Sequence, residues 1–397
     1  ERSDALEPTG CGEYHHAGSL CEPLSGNRGS PLRDGLARVD GILCPTGVGG
    51  AGAGALSGGG QRASGTGTAD GGALRQARGR TVDGGPAFDP AVEPGGYHWW
   101  YADGTSDCGH FAFTVIAFIG SVFSPYYHWS GRRDPEEHIA FNVALYGPQG
   151  HAWAMTERGK ARLTRDRHSL AIGNSSFRYD GSGFVITFDE IFLPWPGQRI
   201  LPKRMRGDIR LVPGCLGARA YDLDAGGFHI WQPVAPNGQV TVACEALPDG
   251  GWTGTGYHDM NHGVRPLEKD FSGWDWARGN VGDGRTVILY DSVLADGTNS
   301  RFGLVCGRDG AISDFDPPPR QSLKRGFWGV GGGIACDGGT TPVLKSVLED
   351  TPFYRRSLVE TVVAGDSVEM MHETLDCRRL ANPVVRMMLP FRMPRRA

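Results

Sequence analysis

The sequence predicts an all-β protein organised as two barrel- or sandwich-like units. Three observations carry this reading. Short apolar runs with period-2 character recur through most of the chain, as strands require. They end in Gly, Asp-Gly or Pro, the residues that turns use. Long helical periods, with apolar residues every three to four positions, are scarce.

The runs follow one another at close intervals. FTVIAFIG (113–120) and HIAFNVALYG (138–147) come first, then GFVITFDEIFL (183–193) and GQVTVACEAL (238–247). GRTVILYDSVL (284–294), RFGLVCG (301–307) and RRSLVETVVAG (355–365) complete the set. Pro and Gly at 236–238 mark the expected boundary, giving units at 93–236 and 237–397. Residues 1–92 stand apart. Roughly a quarter are Gly, none is Trp, and the aromatics are Tyr14 and Phe88. A run such as GVGGAGAGALSGGG (47–60) cannot bury enough apolar surface to offset its ordering entropy. Residues 1–92 are therefore expected to be mostly disordered.

Composition excludes several function classes. Lys plus Arg is 40 and Asp plus Glu is 44, a net charge of −4, which gives no footprint for nucleic acid. The longest apolar stretch, 111–123, falls short of the roughly 20 residues of a spanning helix and reads as buried strand. No secretory leader is legible at the start. Nine cysteines without CxxC spacing argue against a zinc site or disulfide scaffold and suit a reducing cytoplasm.

Two motifs resolve to bland readings. GVGGAG (47–52) matches the dinucleotide fingerprint G-x-G-x-x-G, but it lacks the strand before and the helix after. His258 and His262 have zinc-pair spacing, which needs a helix, and Gly254, Gly256, Gly263 and Pro266 oppose one. No metal is expected. Two other spacings are more informative. His229 and Trp231 would share a strand face, as would Tyr257 and Asp259. Spacing alone leaves each pair open between a site and ordinary packing or turn chemistry. The aromatic group Trp99, Trp100, Tyr101, Tyr126, Tyr127 and Trp129 would suit either an apolar ligand cavity or a barrel core.

Four segments closely resemble the acyclic carotenoid 1,2-hydratases, or hydroxyneurosporene synthases. They are GGYHWWYADG through to the end of FNVALYG (95–147), HIWQPVAP (229–236), GTGYHDMNHGVRPLEKDFSGWDWARG (254–279) and MLPFRMPRR (388–396). The resemblance spans about 85–397, and residues 1–50 are expected to lie outside it. It implies lipocalin-like β units, a cavity for a long apolar ligand, and no cofactor or metal. It also implies addition of water across the terminal C1–C2 double bond of an acyclic carotenoid such as neurosporene or lycopene.

The family's catalytic set falls on Asp259, His229, Trp231 and Tyr257. In that reading Asp259 is the general acid, kept protonated by an apolar cavity. Trp231 stabilises the C1 cation, neutral His229 positions water and takes its proton, and Tyr257 orients the acid or the water. Such a substrate implies peripheral contact with the inner, photosynthetic membrane from the cytoplasmic side, with Arg386, Arg392, Arg395 and Arg396 near the headgroups. A non-catalytic carotenoid carrier and a pericyclase or isomerase on the same scaffold are the rival readings.

Overall fold

The computed structural model describes residues 74–75, 78–195 and 199–396. Strands dominate them, as two large, mostly antiparallel sheets and a small two-stranded one. The larger sheet has 13 strands. Its centre runs Ile139–Gly147, Ala112–Ile119, Tyr97–Ser106, Gly251–Gly263, His229–Cys244, Lys203–Pro213 and Phe184–Phe192. The smaller has eight strands, and Phe271–Asn280 and Asp366–Asp376 lie side by side near its middle.

The large sheet curls on itself. The N–H of Leu193, just past one strand, donates to the Trp153 carbonyl on the distant edge strand Gly150–Arg158 at 2.9 Å. Its concave face encloses a dry core that includes Phe113, Val115, Phe141, Ile186, Ile209 and Val242. Its convex face packs on the smaller sheet through a second apolar layer, with Trp231, Tyr257, Trp276, Tyr290, Phe302 and Leu375 among its members. Both faces of the central strands are thus covered. That is why Ala112–Ile119, most of the apolar 111–123 stretch, is buried at all eight positions without entering a membrane. No helix among the described residues is long and apolar enough to cross a bilayer.

Two expectations about organisation are corrected. The boundary at 236/237 falls inside the continuous strand His229–Cys244. The Pro and Gly residues there make register shifts between Pro233 and Gly238, so they bend the strand and do not end it. The chain changes sheets after Gly263 instead, through the short turn Leu267–Lys269. The segment 78–92 is ordered. Arg78–Thr81 pairs with Arg219–Asp222, Phe88 is fully buried against Trp100, and the Trp100 indole donates to the Ala87 carbonyl. One large aromatic side chain with a matching pocket outweighs a Gly-rich composition. The rest of that expectation, on 1–73 and 76–77, lies outside the described residues.

Candidate functional site

A cavity of about 520 Å³ opens between the two sheets. The alternation of strand side chains decides what reaches it. On Gly251–Gly263 the odd positions Tyr257, Asp259 and Asn261 face the intersheet layer. The even positions face the concave core, where His258 packs against Phe177 and Phe184. The neighbouring strand obeys the same rule, with Tyr101 paired opposite Asp259 and Trp99 opposite Asn261. Trp99 and Tyr101 line the cavity, whereas Trp100 turns to the concave core. Trp129, also in the aromatic group, sits on the short helix Pro125–Trp129 and is half exposed.

Asp259 is the acidic centre of the wall. Its Oδ2 accepts the Trp231 indole N–H at 2.8 Å and the Tyr257 hydroxyl at 2.8 Å. Its Oδ1 is buried with no protein partner. Burial pushes the carboxyl up from 3.8 to about 8, against the two hydrogen bonds, and the negative charges of Glu373 and Asp103 push the same way. Burial thus favours the neutral, protonated form of Asp259. With both lone-pair directions of Oδ2 taken by donors, its proton belongs on Oδ1.

Trp231 and Tyr257 are both fully buried behind Asp259 and do not line the cavity. The Trp231 ring is enclosed by Tyr221, Tyr290 and Phe302, at centroid separations of 5.5, 5.4 and 5.7 Å. These rings stand between Trp231 and the neighbouring sheet, and its indole N–H is committed to Asp259. His229 is separated from the other three. Its Nδ1 lies 2.9 Å from the Tyr97 hydroxyl and its Nε2 lies 2.8 Å from Asp270 Oδ2. Asp270 is in turn clamped by Arg265. Burial lowers the His229 pKa, partly offset by Asp270. Both ring nitrogens of His229 are engaged, and it is not among the residues that line the cavity. It fastens the turn after Gly263 to the sheet.

The structure adds a group that sequence reading missed. Glu373, on the strand Asp366–Asp376, lines the same cavity. Its Oε1 accepts from Arg356 Nε at 2.9 Å and lies 2.7 Å from the Tyr101 hydroxyl. That hydroxyl also lies 2.7 Å from Asp103 Oδ2. One hydroxyl hydrogen serves only one of these contacts at a time. Burial raises the Asp103 pKa, against its bond from Arg278. Around these groups the cavity is aromatic. Trp276 packs edge-on to Tyr101 at 5.5 Å and lies 5.2 Å from Tyr257, with Tyr290 and Trp274 also in the wall. Among the described residues no group of three His, Cys, Asp or Glu side chains is arranged to hold a metal ion.

Comparison with known proteins finds similar chains. The family model for carotenoid hydratase CrtC matches residues 115–397. An acyclic carotenoid 1,2-hydratase from Thiocapsa roseopersicina is 45% identical over 385 residues, covering 96% of this chain and 93% of its own length. The same enzyme from Rubrivivax gelatinosus is 45% identical over 390 residues, and that from Rhodobacter capsulatus 40% over 286. The first alignment reaches into the N-terminal segment, so the expectation that 1–50 lies wholly outside the resemblance is corrected. Among solved structures, a putative AttH from Nitrosomonas europaea superposes with a TM-score of 0.49 at 15% identity, covering 75% of this chain and 98% of that one.

Proposed function

The chain belongs to the carotenoid hydratase family, and on that premise we propose that this hydro-lyase protonates the terminal double bond of an acyclic carotenoid with Asp259 and captures the resulting cation with water. The observation that carries this reading is a carboxyl with a pKa near 8, its unpartnered oxygen buried in the wall of an aromatic cavity. An unactivated alkene is a poor base. It needs a neutral acid held where water cannot level its proton.

The reaction divides among the wall residues. Asp259 Oδ1–H delivers its proton to C2, and the C2–H bond forms as the π bond breaks. The tertiary cation at C1 faces Trp276, Tyr101 and Tyr290. Desolvated cation–π contacts of this kind contribute about 2 kcal/mol each. Trp231 and Tyr257 hold the departing carboxylate by donating to Oδ2, which stabilises the charge left behind. Water adds to C1, and its surplus proton passes to Glu373, the other carboxyl on the cavity wall. Solvent exchange then restores Asp259. No step calls on a cofactor. A carrier has no use for a buried neutral acid opposite a second carboxyl, whose desolvation costs several kcal/mol.

The test is turnover of neurosporene or lycopene by the purified protein, with the pigment analysed for the 1-hydroxy-1,2-dihydro product. Only protonated Asp259 is active, so the rate should hold below pH 8 and fall about tenfold per pH unit above it. Absence of the hydroxylated product would leave the carrier. Product formed at an undiminished rate at pH 10, with the fold intact, would remove Asp259 as the acid.

A further inference from the structure

The C-terminal helix Pro383–Arg392 is apolar on two faces: Val385 and Leu389 pack against the intersheet layer, and a second set of apolar residues points away from it. Val384, Met387, Met388 and Phe391 follow the i, i+3, i+4, i+7 spacing of one helix face. In a soluble protein that stripe would face the core. Here it faces outward, with exposures of 67, 68, 42 and 83%. The charged side chain between them, Arg386, turns inward instead and pairs with Glu268 at 2.6 Å. A second apolar projection stands at the same cavity. Phe327, 91% exposed, packs edge-on against Trp328, whose carbonyl accepts from Arg379 at the end of the preceding helix.

These projections surround the cavity mouth, since Trp328, Met388 and Phe391 belong to its lining as well as to the exposed surface. The apolar path is therefore continuous from outside to Asp259. Exposed cations stand near these residues along the chain: Lys324 and Arg325 before Phe327, and Arg378, which also donates to Ser272, before the helix. Of the arginines first considered for headgroup contact, three are committed inward. Arg386 is held by Glu268, Arg395 by Glu157, and Arg392 stacks over Trp153 at 4.3 Å.

We propose that the outward face of Pro383–Arg392, together with Phe327 and Trp328, is a docking surface for an anionic lipid bilayer, seated so that the cavity mouth opens directly onto the acyl chains. The choice of occupant rests on the carotenoid reading above. A cavity of about 520 Å³ accommodates a drug-sized group, so it takes the end of a long polyene while the rest stays outside. A polyene tail is soluble only in lipid. An exposed apolar helix face with exposed cations close by in the chain matches an interface that is apolar within and anionic at the headgroups.

Co-sedimentation of the full chain with vesicles tests this. One set is phosphatidylcholine alone and the other contains phosphatidylglycerol. Binding should be stronger to the anionic set and should weaken with added salt. The variant Val384→Ser, Met387→Ser, Phe327→Ser changes three exposed residues that do not line the cavity. It should lose about tenfold or more in vesicle affinity. Its thermal unfolding and its turnover of carotenoid in detergent micelles should stay within about twofold of the parent, while turnover of carotenoid in vesicles falls with binding. Unchanged vesicle binding by the variant would overturn the surface. So would a parent that ignores vesicles and self-associates through this face, as judged by sedimentation equilibrium. Vesicle binding without hydration of any carotenoid would leave the surface standing and remove the catalytic reading.

Discussion

Asp259→Asn is expected to lower the hydration rate by about 10³-fold while raising stability at neutral pH. The two effects have one origin. The amide copies the neutral acid: its oxygen can accept from Trp231 and Tyr257, and its NH2 takes the place of the protonated Oδ1. The fold and the cavity are kept, and only the acidic proton is lost. Stability follows from linkage. Asp259 ionises near 3.8 when unfolded and near 8 when folded, so its contribution is greatest below 3.8 and is lost as pH rises towards 8. The Asn variant escapes that loss and should gain about 2–4 kcal/mol at pH 7, measured by denaturant titration. A purely structural Asp259 would give the opposite pattern, with stability down and residual activity in proportion to folded protein.

Glu373→Gln is expected to reduce turnover by about 10²-fold with substrate binding preserved. The amide keeps the size of the side chain but cannot accept the proton released by the attacking water. Part of the charge around Arg356 remains, because Glu349 lies 3.8 Å from it. A loss of stability of about 1–3 kcal/mol accompanies the broken ion pair, so activity must be compared at equal folded fraction. Glu373→Asp separates the roles. It restores the charge with a shorter reach and should recover part of kcat. If Gln and Asp variants were equally active, the carboxyl would serve only to anchor Arg356. Wild-type kcat in the Gln variant would place water activation on another group.

The layered β architecture was legible because strand alternation and turn residues are local signals. The Ala112–Ile119 and Ile139–Gly147 runs needed no tertiary information to be read. The same locality explains Tyr257 and Asp259, which sit two apart on one strand and meet by that spacing. Trp231 was found with them, but its surroundings were not, because Phe302 and Tyr290 come from the other sheet. His229 illustrates the limit of the rule. It shares a strand face with Trp231, yet two residues displace it by a full pleat repeat, and Tyr97 and Asp270 claim it there. Glu373 carries no motif. In EMMHETLD it looks like a solvent-facing strand residue. Only the register that sets it opposite Arg356, and the packing that brings the Tyr101 hydroxyl from the large sheet, makes it part of the site. The outward apolar face of Pro383–Arg392 was hidden for a related reason, since only the packing of Val385 and Leu389 shows which side the protein occupies.

The claim that binds the account together is that an enzyme carboxyl in exchange with solvent delivers a proton to C2. Turnover in heavy water, followed by mass and NMR analysis of the hydroxylated carotenoid, tests it most directly. Each product molecule should carry one non-exchangeable deuterium at C2 per hydrated end and none at other carbons, and Asp259→Asn should form no such product above background. Hydroxylated product from the native chain with no deuterium at C2 would contradict the account.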